Sequence, residues 1–331
     1  MSRSPLQDTL DERGALVLDG AMATELERHG ADLSGGLWSA RLLLERPELI
    51  AEVHRDYFRA GADVAITASY QASLAGFVRA GLAADDARRL MVRSIELARE
   101  ARDQFWSAAL AREPDLADRR PRPLVATSVG PYGAVLADGS EYRGDYDVSH
   151  ADLVTFHRER LEVLVEAGVE VLACETIPSL SEAEALLEVI ADWPELTAWV
   201  SFSARNDREV SDGTAISACS SALHGAEQVV AVGVNCTAVA HIGGLLHELA
   251  GGTDKPLVVY PNSGEIYDAE QQSWVGGRSE VDFGDLAGQW YAGGARLIGG
   301  CCRTGPKDIS AVSAALQGIR AAGGRTEPGA G

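Results

Sequence analysis

An eight-stranded parallel β-barrel ringed by helices, the (β/α)8 or TIM-barrel class, is the fold this 331-residue sequence predicts. Three observations carry the prediction. Short apolar runs rich in β-branched residues recur along the chain, and helical patterns alternate with them. No GxGxxG or GxxxxGK[ST] loop follows any of the runs, which removes the usual nucleotide-binding reason for an open doubly wound sheet. Near-continuous apolar character is what strands buried on both faces need, and alternation with helices makes such strands parallel. We expect one domain over 1–331, with strands from about 15 to 302 and a frayed tail over about 322–331.

The elements follow in order. The expected strands are "ALVLDGA" (Ala15–Ala21), "VAITASY" (Val64–Tyr70), "LVATSVG" (Leu124–Gly130) and "VEVLACET" (Val169–Thr176). They continue with "TAWVSFSA" (Thr197–Ala204), "VVAVGVNCT" (Val229–Thr237), "PLVVYPNSG" (Pro256–Gly264) and "ARLIGGCC" (Ala295–Cys302). Among the helices, "PELIAEVHRDYFRAGA" opens on a proline suited to a first turn and stops at Gly61. "HADLVTFHRERLEVLVEAGV" has apolar residues at three- and four-residue steps and ends at Gly168. "SLSEAEALLEVIADW" contains a Ser-x-x-Glu pattern at Ser181–Glu184 that predicts a capping box. Two more helical patterns flank the last strand, and "AREPDLADRRPRP" reads as a surface loop.

Composition narrows the function classes. The chain is 46% hydrophobic and 24% charged, an ordinary globular mixture. Its formal net charge of −20 repels phosphate backbones and anionic lipid, which argues against nucleic-acid and membrane partners. No window reaches the roughly 18 consecutive apolar residues of a membrane span. The polar start, "MSRSPLQDTLDERG", has no apolar core of a secretory signal, so a cytoplasmic location is expected.

Five cysteines, an odd number, point away from a disulfide framework and towards metal binding or catalysis. In a barrel the C-terminal strand ends share one face, and the active site lies there. The sixth expected strand ends in Asn235-Cys236 and the eighth in Cys301-Cys302. Only one strand separates them, so their ends are about 10 Å apart and inward side chains can meet. Three thiolates there make a zinc site with one open position. Soft sulfur disfavours magnesium or calcium, and Gly299 and Gly300 let the chain turn so that both following thiols face an ion. Spacing alone leaves two other readings open, buried core thiols and a vicinal Cys301–Cys302 disulfide; Cys174 and Cys219 read as core. Asp19 and Glu175 are strand-end carboxylates, each readable as a cap or rim charge, and together as an anchor for a substrate ammonium. His54, His150 and His157 fall in or at the start of helices and read as structural or exposed.

The segments "LDGAMATELE", "LWSARLL", "ITASYQAS", "SVGPYGAVLADGSEYRGDY", "LACETIPS", "SFSARND", "VGVNCT", "VVYPNSGE" and "IGGCCRT" together resemble homocysteine S-methyltransferases of the single-domain type that uses S-methylmethionine. The resemblance spans nearly the whole chain. It implies zinc on Cys236, Cys301 and Cys302, with the Asp19-Gly20-Ala21 turn receiving homocysteine's amino-acid end and Glu175 its ammonium. Thr67, Asn235, Asn262 and Ser263 become pocket positions, and "DGSEYRGDY" a segment over the mouth that helps admit the donor. Trp38 and Tyr70 offer aromatic faces to a donor cation.

The implied reaction moves a methyl group from a sulfonium to the zinc-activated thiolate of L-homocysteine, giving methionine. A sulfonium has a neutral leaving group, so no general acid is required. The partners expected are those two small molecules. S-adenosylmethionine or betaine are alternative donors, and a non-catalytic homocysteine- or zinc-binding barrel is the alternative of another class. Without zinc, such thiols oxidise, bridging Cys236 to Cys301 or Cys302.

Overall fold

The computed structural model describes residues 4–33, 38–136, 138–264, 266–268, 273–275 and 282–323; of 38–40, 266–268, 273–275 and 322–323 only the backbone is described. The eight expected runs form strands: β1 (Leu16–Val17), β2 (Val64–Ile66), β3 (Leu124–Val129), β4 (Val171–Ile177), β5 (Ala198–Phe202), β6 (Val229–Asn235), β7 (Leu257–Tyr260) and β10 (Ala295–Ile298). All pairings in this sheet are parallel, in the order β1-β10-β7-β6-β5-β4-β3-β2. A Leu18–Val64 bridge and the Asp63 N–H to Val17 carbonyl bond join the two ends and close the barrel. A small antiparallel hairpin, β8 (Ile266–Asp268) and β9 (Ser273–Val275), was not among the expected elements.

Most of the expected runs overshoot the strands they contain at the C-terminal end. The second run was read to Tyr70 and β2 stops at Ile66; the last was read to Cys302 and β10 stops at Ile298. Apolar and small residues continue past the last ladder hydrogen bond because the mouth is itself buried.

Side-chain alternation along the strands builds two layers. One set, among them Leu16, Leu18, Val64, Leu124, Ala126, Val171, Ala173, Trp199, Val258 and Leu297, fills the barrel interior. Leu6 and Leu10 of α1 (Pro5–Arg13) join that set, and Ser4 caps the helix through the Gln7 N–H. The other set, including Val17, Ala65, Leu172, Cys174, Val200, Val232 and Val259, meets the surrounding helices. Cys174 and Cys219 are buried core thiols, as expected.

Helix boundaries follow local chemistry. Helix α4 (Pro47–Ala60) starts on its proline and ends at Gly61, whose φ of 104° few other residues adopt. Helix α8 (His150–Glu166) begins with a Ser149–Asp152 capping box. The predicted box at Ser181–Glu184 is corrected: α9 (Leu180–Ile190) is capped by Ser179, which accepts from the Glu182 N–H at 3.2 Å. Ser179 is the extended residue after Pro178, whereas Ser181 already lies inside the first turn. Helix α13 (Pro306–Gly323) carries the chain to 323; of the frayed tail expected over about 322–331, residues 324–331 lie outside the described ones. Among the described residues no helix is long and apolar enough to cross a membrane.

Strands β6 and β7 approach unusually closely at Gly233, where a Cβ would lie 1.8 Å from the Val258 carbonyl oxygen. Gly233→Ala should therefore force the two strands apart and cost about 3 kcal/mol or more, read as a lower denaturant midpoint at unchanged m-value.

Candidate active site at the C-terminal mouth

The inward-facing series on each strand changes character towards its C-terminal end. Above Ala126 comes Ser128, above Ala173 comes Glu175, above Trp199 comes Ser201 and above Ala231 comes Asn235 two steps on. All four are buried, Glu175 at 8% exposure and the others at 0%. They are joined by hydrogen bonds. Ser128 Oγ donates to Glu175 Oε1, and Ser201 Oγ donates to Asn235 Oδ1 at 2.8 Å. Trp199 Nε1 donates to Tyr260 Oη at 3.0 Å, and that hydroxyl lies 2.6 Å from Ser201 Oγ.

Three non-glycine residues among the described ones have left-handed backbone: Thr176 (φ 60°), Cys236 (φ 47°) and Arg303 (φ 67°). All three are at this mouth, and such strain persists only where neighbours over-determine it. Asn235 Oδ1 accepts from the Thr176 N–H at 2.7 Å while its Nδ2 donates to Thr176 Oγ1 at 2.7 Å. The Cys236 N–H donates to the Tyr260 carbonyl, and the Arg303 N–H to Thr24 Oγ1. Gly300 N–H donates to the Asp19 carbonyl and Cys301 N–H to that of Pro261, which threads the "GGCC" segment between β1 and β7. Gly299 sits so close to β1 that a Cβ there would be 2.7 Å from the Asp19 carbonyl oxygen.

These turns bring the sulfur atoms of Cys236, Cys301 and Cys302 within 4.8 Å of one another, with Cys236 and Cys302 at 3.5 Å. Hydrogen bonds from Cys301 and Cys302 hold the Cys236 thiol well below its usual range, and the same sharing pushes the other two well above theirs. The donor set fits a soft cation. Tetrahedral Zn–S bonds of about 2.3 Å put neighbouring sulfurs about 3.8 Å apart. Without a cation, three thiolates this close would repel by about 4 kcal/mol per pair at an effective dielectric of 20. The other group of ligand-type side chains, Glu25, His29 and Asp56, is an ion-pair network: Arg28 and Arg59 contact its carboxylates at 2.9 and 2.8 Å.

The other sequence-predicted residues divide into two groups. Asp19 is buried, accepts from the Ile66 N–H at 2.8 Å, and is pushed well above the usual carboxylate range by burial, with Glu175 nearby adding to the shift. Burial pushes Glu175 up to about 7 despite its bonds from Ser128 and Tyr260. Gly20 is wedged against Tyr57 and Thr304, and Ala21 O accepts from Tyr57 Oη at 2.9 Å. Asn262 is buried with its Oδ1 unpartnered among the described residues, and the Ser263 N–H reaches the Cys302 carbonyl. Thr67 and Asn235 are spent inside the wall: Thr67 Oγ1 accepts from the Ser128 N–H at 3.0 Å and pairs with Ser69 at 2.7 Å. Tyr70 is half-buried near Thr176 with its hydroxyl turned inward, and the side chain of Trp38 lies outside the described residues.

The segment after β3 crosses the mouth, as the resemblance implied. Ser203 Oγ donates to the Glu141 carbonyl at 3.3 Å, and Tyr142 Oη lies 3.3 Å from Cys236 Sγ. Tyr146 Oη donates to Glu182, which also accepts from the Tyr132 N–H at 2.6 Å and faces His157 Nε2 at 3.0 Å. That fully buried carboxylate ties the segment to α8 and α9. Tyr142 and Glu182 were not singled out from the sequence; the only signal was two tyrosines in an otherwise small and acidic stretch. Of the helical histidines, His54 and His157 are buried, and His150 is exposed beside Glu188.

A family model described as homocysteine S-methyltransferase matches residues 16–316. The chain belongs to the homocysteine S-methyltransferase family. Membership makes it an enzyme of the methyltransferase class with homocysteine as methyl acceptor. It is 51% identical to the Bacillus subtilis homocysteine S-methyltransferase YbgG, over 96% of this chain and 99% of that one. It is 52% identical to the Escherichia coli homocysteine S-methyltransferase, over 94% of this chain and 98% of that one. Crystal structures of the E. coli homocysteine methyltransferase MmuM in metallated and oxidized forms each superpose with a TM-score of 0.83, at 50% identity, covering 94% of this chain and 99% of theirs.

In this family member Arg160 of α8 underlies the mouth. It is 1% exposed and donates to the carbonyls of Gly130, Ser69 and Tyr70 at 2.7, 2.6 and 2.7 Å, while burial lowers it to about 10. Arg160→Met should leave these carbonyls unpaired, costing about 3 kcal/mol or more in equilibrium denaturation.

Proposed function

We propose that this enzyme transfers a methyl group from a sulfonium, S-methylmethionine, to L-homocysteine with zinc held by Cys236, Cys301 and Cys302, forming two molecules of methionine. One observation carries the reading: thiols from two non-adjacent strand ends meet within 4.8 Å beside the buried carboxylates Asp19 and Glu175. When bound there, zinc supplies the charge that keeps a substrate thiol deprotonated and nucleophilic.

The chain's own residues do the rest. Glu175 and Asp19 hold the homocysteine ammonium, and the backbone of Gly20 and Ala21 faces its carboxylate. Neither of those two N–H groups donates to a backbone carbonyl among the described residues. Asn262 and Ser263 complete the pocket wall. Asn235 and Thr67 act indirectly, Asn235 by fixing the Glu175–Thr176 turn and Thr67 by joining β2 to β3. The segment around Tyr142 and Tyr146, tied down by Glu182, keeps water from the reacting sulfur. The sulfonium leaves as a neutral thioether, so no proton has to be delivered to it, and neither buried histidine is needed. The five cysteines, none in a disulfide, fit a reducing compartment, and the cytoplasm is the location proposed.

The test is product formation: purified, zinc-loaded protein is given homocysteine with S-methylmethionine, S-adenosylmethionine or betaine in parallel. Methionine should appear fastest with S-methylmethionine. Homocysteine binding with no methionine from any donor would turn the reading into a binding barrel.

Cys302→Ala should lose bound zinc and more than about a hundredfold in turnover, since even outer-shell changes at such sites cost 10–100-fold. Full metal occupancy in that variant, by elemental analysis, would remove Cys302 from the ligand set. The pH dependence has a definite sign. Glu175, pushed up to about 7, pairs with an ammonium only when ionised, so homocysteine affinity should rise as pH rises through about 7. The ratio of wild-type to Glu175→Gln affinity, measured by calorimetry from pH 6 to 8, should grow over that window.

A further inference from the structure

The mouth holds one more carboxylate than the homocysteine pocket uses. Glu141 sits in the short turn Ser140–Tyr142, between β3 and α8, and its backbone is fixed on two sides. Its carbonyl accepts from Ser203 Oγ, and its amide nitrogen packs so tightly on Gly133 that a Cβ there would be 2.5 Å away. The residue is half-buried, yet its Oε2 is fully buried and has no hydrogen-bond partner among the described residues. The neighbouring Tyr142 places its hydroxyl 3.3 Å from Cys236 Sγ, so Glu141 flanks the thiol cluster. The charges that face it are Cys236 and Asp138, both of which disfavour its ionisation, and Arg143, which pairs instead with Asp145 at 3.1 Å. Tyr70, from the end of β2, lies within its electrostatic reach. Burial pushes Glu141 up to about 7, the cost of a carboxylate that waits for a cation.

We infer that Glu141 binds the α-ammonium of the methyl donor and thereby selects donors built on an amino acid over betaine-type donors. The inference rests on the donor reading of the preceding section and deepens it. Both substrates of that reaction are amino acids, so the site must receive two ammonium groups. Glu175 stands close enough to Asp19 to raise it, and the two form one receptor; Glu141, on the loop, is the second. The sulfonium itself is the wrong partner for a carboxylate. In the transfer the homocysteine thiolate's electron pair forms the new S–CH3 bond and the donor's S–CH3 bond breaks towards its own sulfur. Both charges vanish, and the thiol proton has gone to solvent beforehand. A carboxylate on the sulfonium would hold the ground state more tightly than the transition state and slow the step. The α-ammonium keeps its charge throughout, so a contact there tightens binding without raising the barrier.

The test compares two sulfoniums, S-methylmethionine and 4-(dimethylsulfonio)butanoate, the same chain without the amino group, on the zinc-loaded full chain. Glu141→Gln should raise KM for S-methylmethionine about tenfold, the worth of one charge-assisted hydrogen bond, with kcat within about twofold. For the desamino donor the same substitution should change kcat/KM less than about twofold, and Glu141→Asp should recover part of the loss with S-methylmethionine. Equal losses with both donors, a fall in kcat at constant KM, or a rise in homocysteine KM instead would each overturn the assignment. Calorimetric titration of S-methylmethionine, without homocysteine, separates this inference from the reaction it rests on. A roughly tenfold weaker Kd in Glu141→Gln upholds Glu141 even if no methionine forms, in which case the donor reading alone fails. Equal Kd values for wild type and variant, or no binding by wild type, sink the inference.

Discussion

Three sulfur atoms from two strand ends meet in a space of 4.8 Å, and the architecture of the mouth is organised around that convergence. Strands β6 and β10 do not touch; β7 lies between them. The gap closes because β6 leaves its ladder through a left-handed Cys236, while the chain after β10 runs through Gly299 and Gly300 against the backbone of β1. The left-handed Cys236 turn is intrinsically unfavourable, and the glycine turn leaves no room for a Cβ. Each is held by bonds from neighbouring strands: the Tyr260 carbonyl for Cys236, the Asp19 and Pro261 carbonyls for Gly300 and Cys301. Those neighbours are in place because β7 lies between β6 and β10 and β1 flanks β10, and closure through the Leu18–Val64 bridge holds β1 there.

The same closure explains the electrostatics. Inward side chains alternate along every strand, so the apolar interior set gives way to Ser128, Glu175, Ser201 and Asn235 as the chain reaches the mouth. Burial there raises Glu175 and Glu141 to about 7 each. Both carboxylates are therefore poised to change charge near neutrality, and cationic ligands that pair with them recover what their desolvation costs. Hydroxyl and amide neighbours of Glu175 set its direction, while Arg160 and Glu182 tie the loops of the mouth to the helix layer.

Much of this was legible from sequence. The eight strands follow from apolar runs, and the thiols of Cys236, Cys301 and Cys302 were placed at the mouth by the rule that barrel strands end there together. Asp19 and Glu175 were found the same way. What escaped were residues whose role depends on a loop's path. Tyr142 lies 94 positions from the cysteine it faces, and only its place in "DGSEYRGDY" pointed to the mouth. Glu182 was not singled out, since "SLSEAEALLEVIADW" does not distinguish it from the helix's other glutamates. The helix start at Ser179 rather than Ser181 was missed because a local Ser-x-x-Glu pattern fits two registers, and only Pro178 and the Tyr132 amide choose between them. Thr67 and Asn235 were read as pocket groups, and their hydrogen bonds turned out to be used within the wall.

By itself, then, the order of apolar runs and helices determined that this chain forms a parallel barrel, because strands buried on both faces and joined by helices have few other ways to hide their backbone. It also determined which thiols and acids stand at the strand ends. Tertiary structure alone decided which of those groups are free to meet a substrate and which are consumed as struts. That choice depends on distances of a few tenths of an ångström between segments far apart in sequence, and hydrogen bonding at that range leaves no periodic trace along the chain.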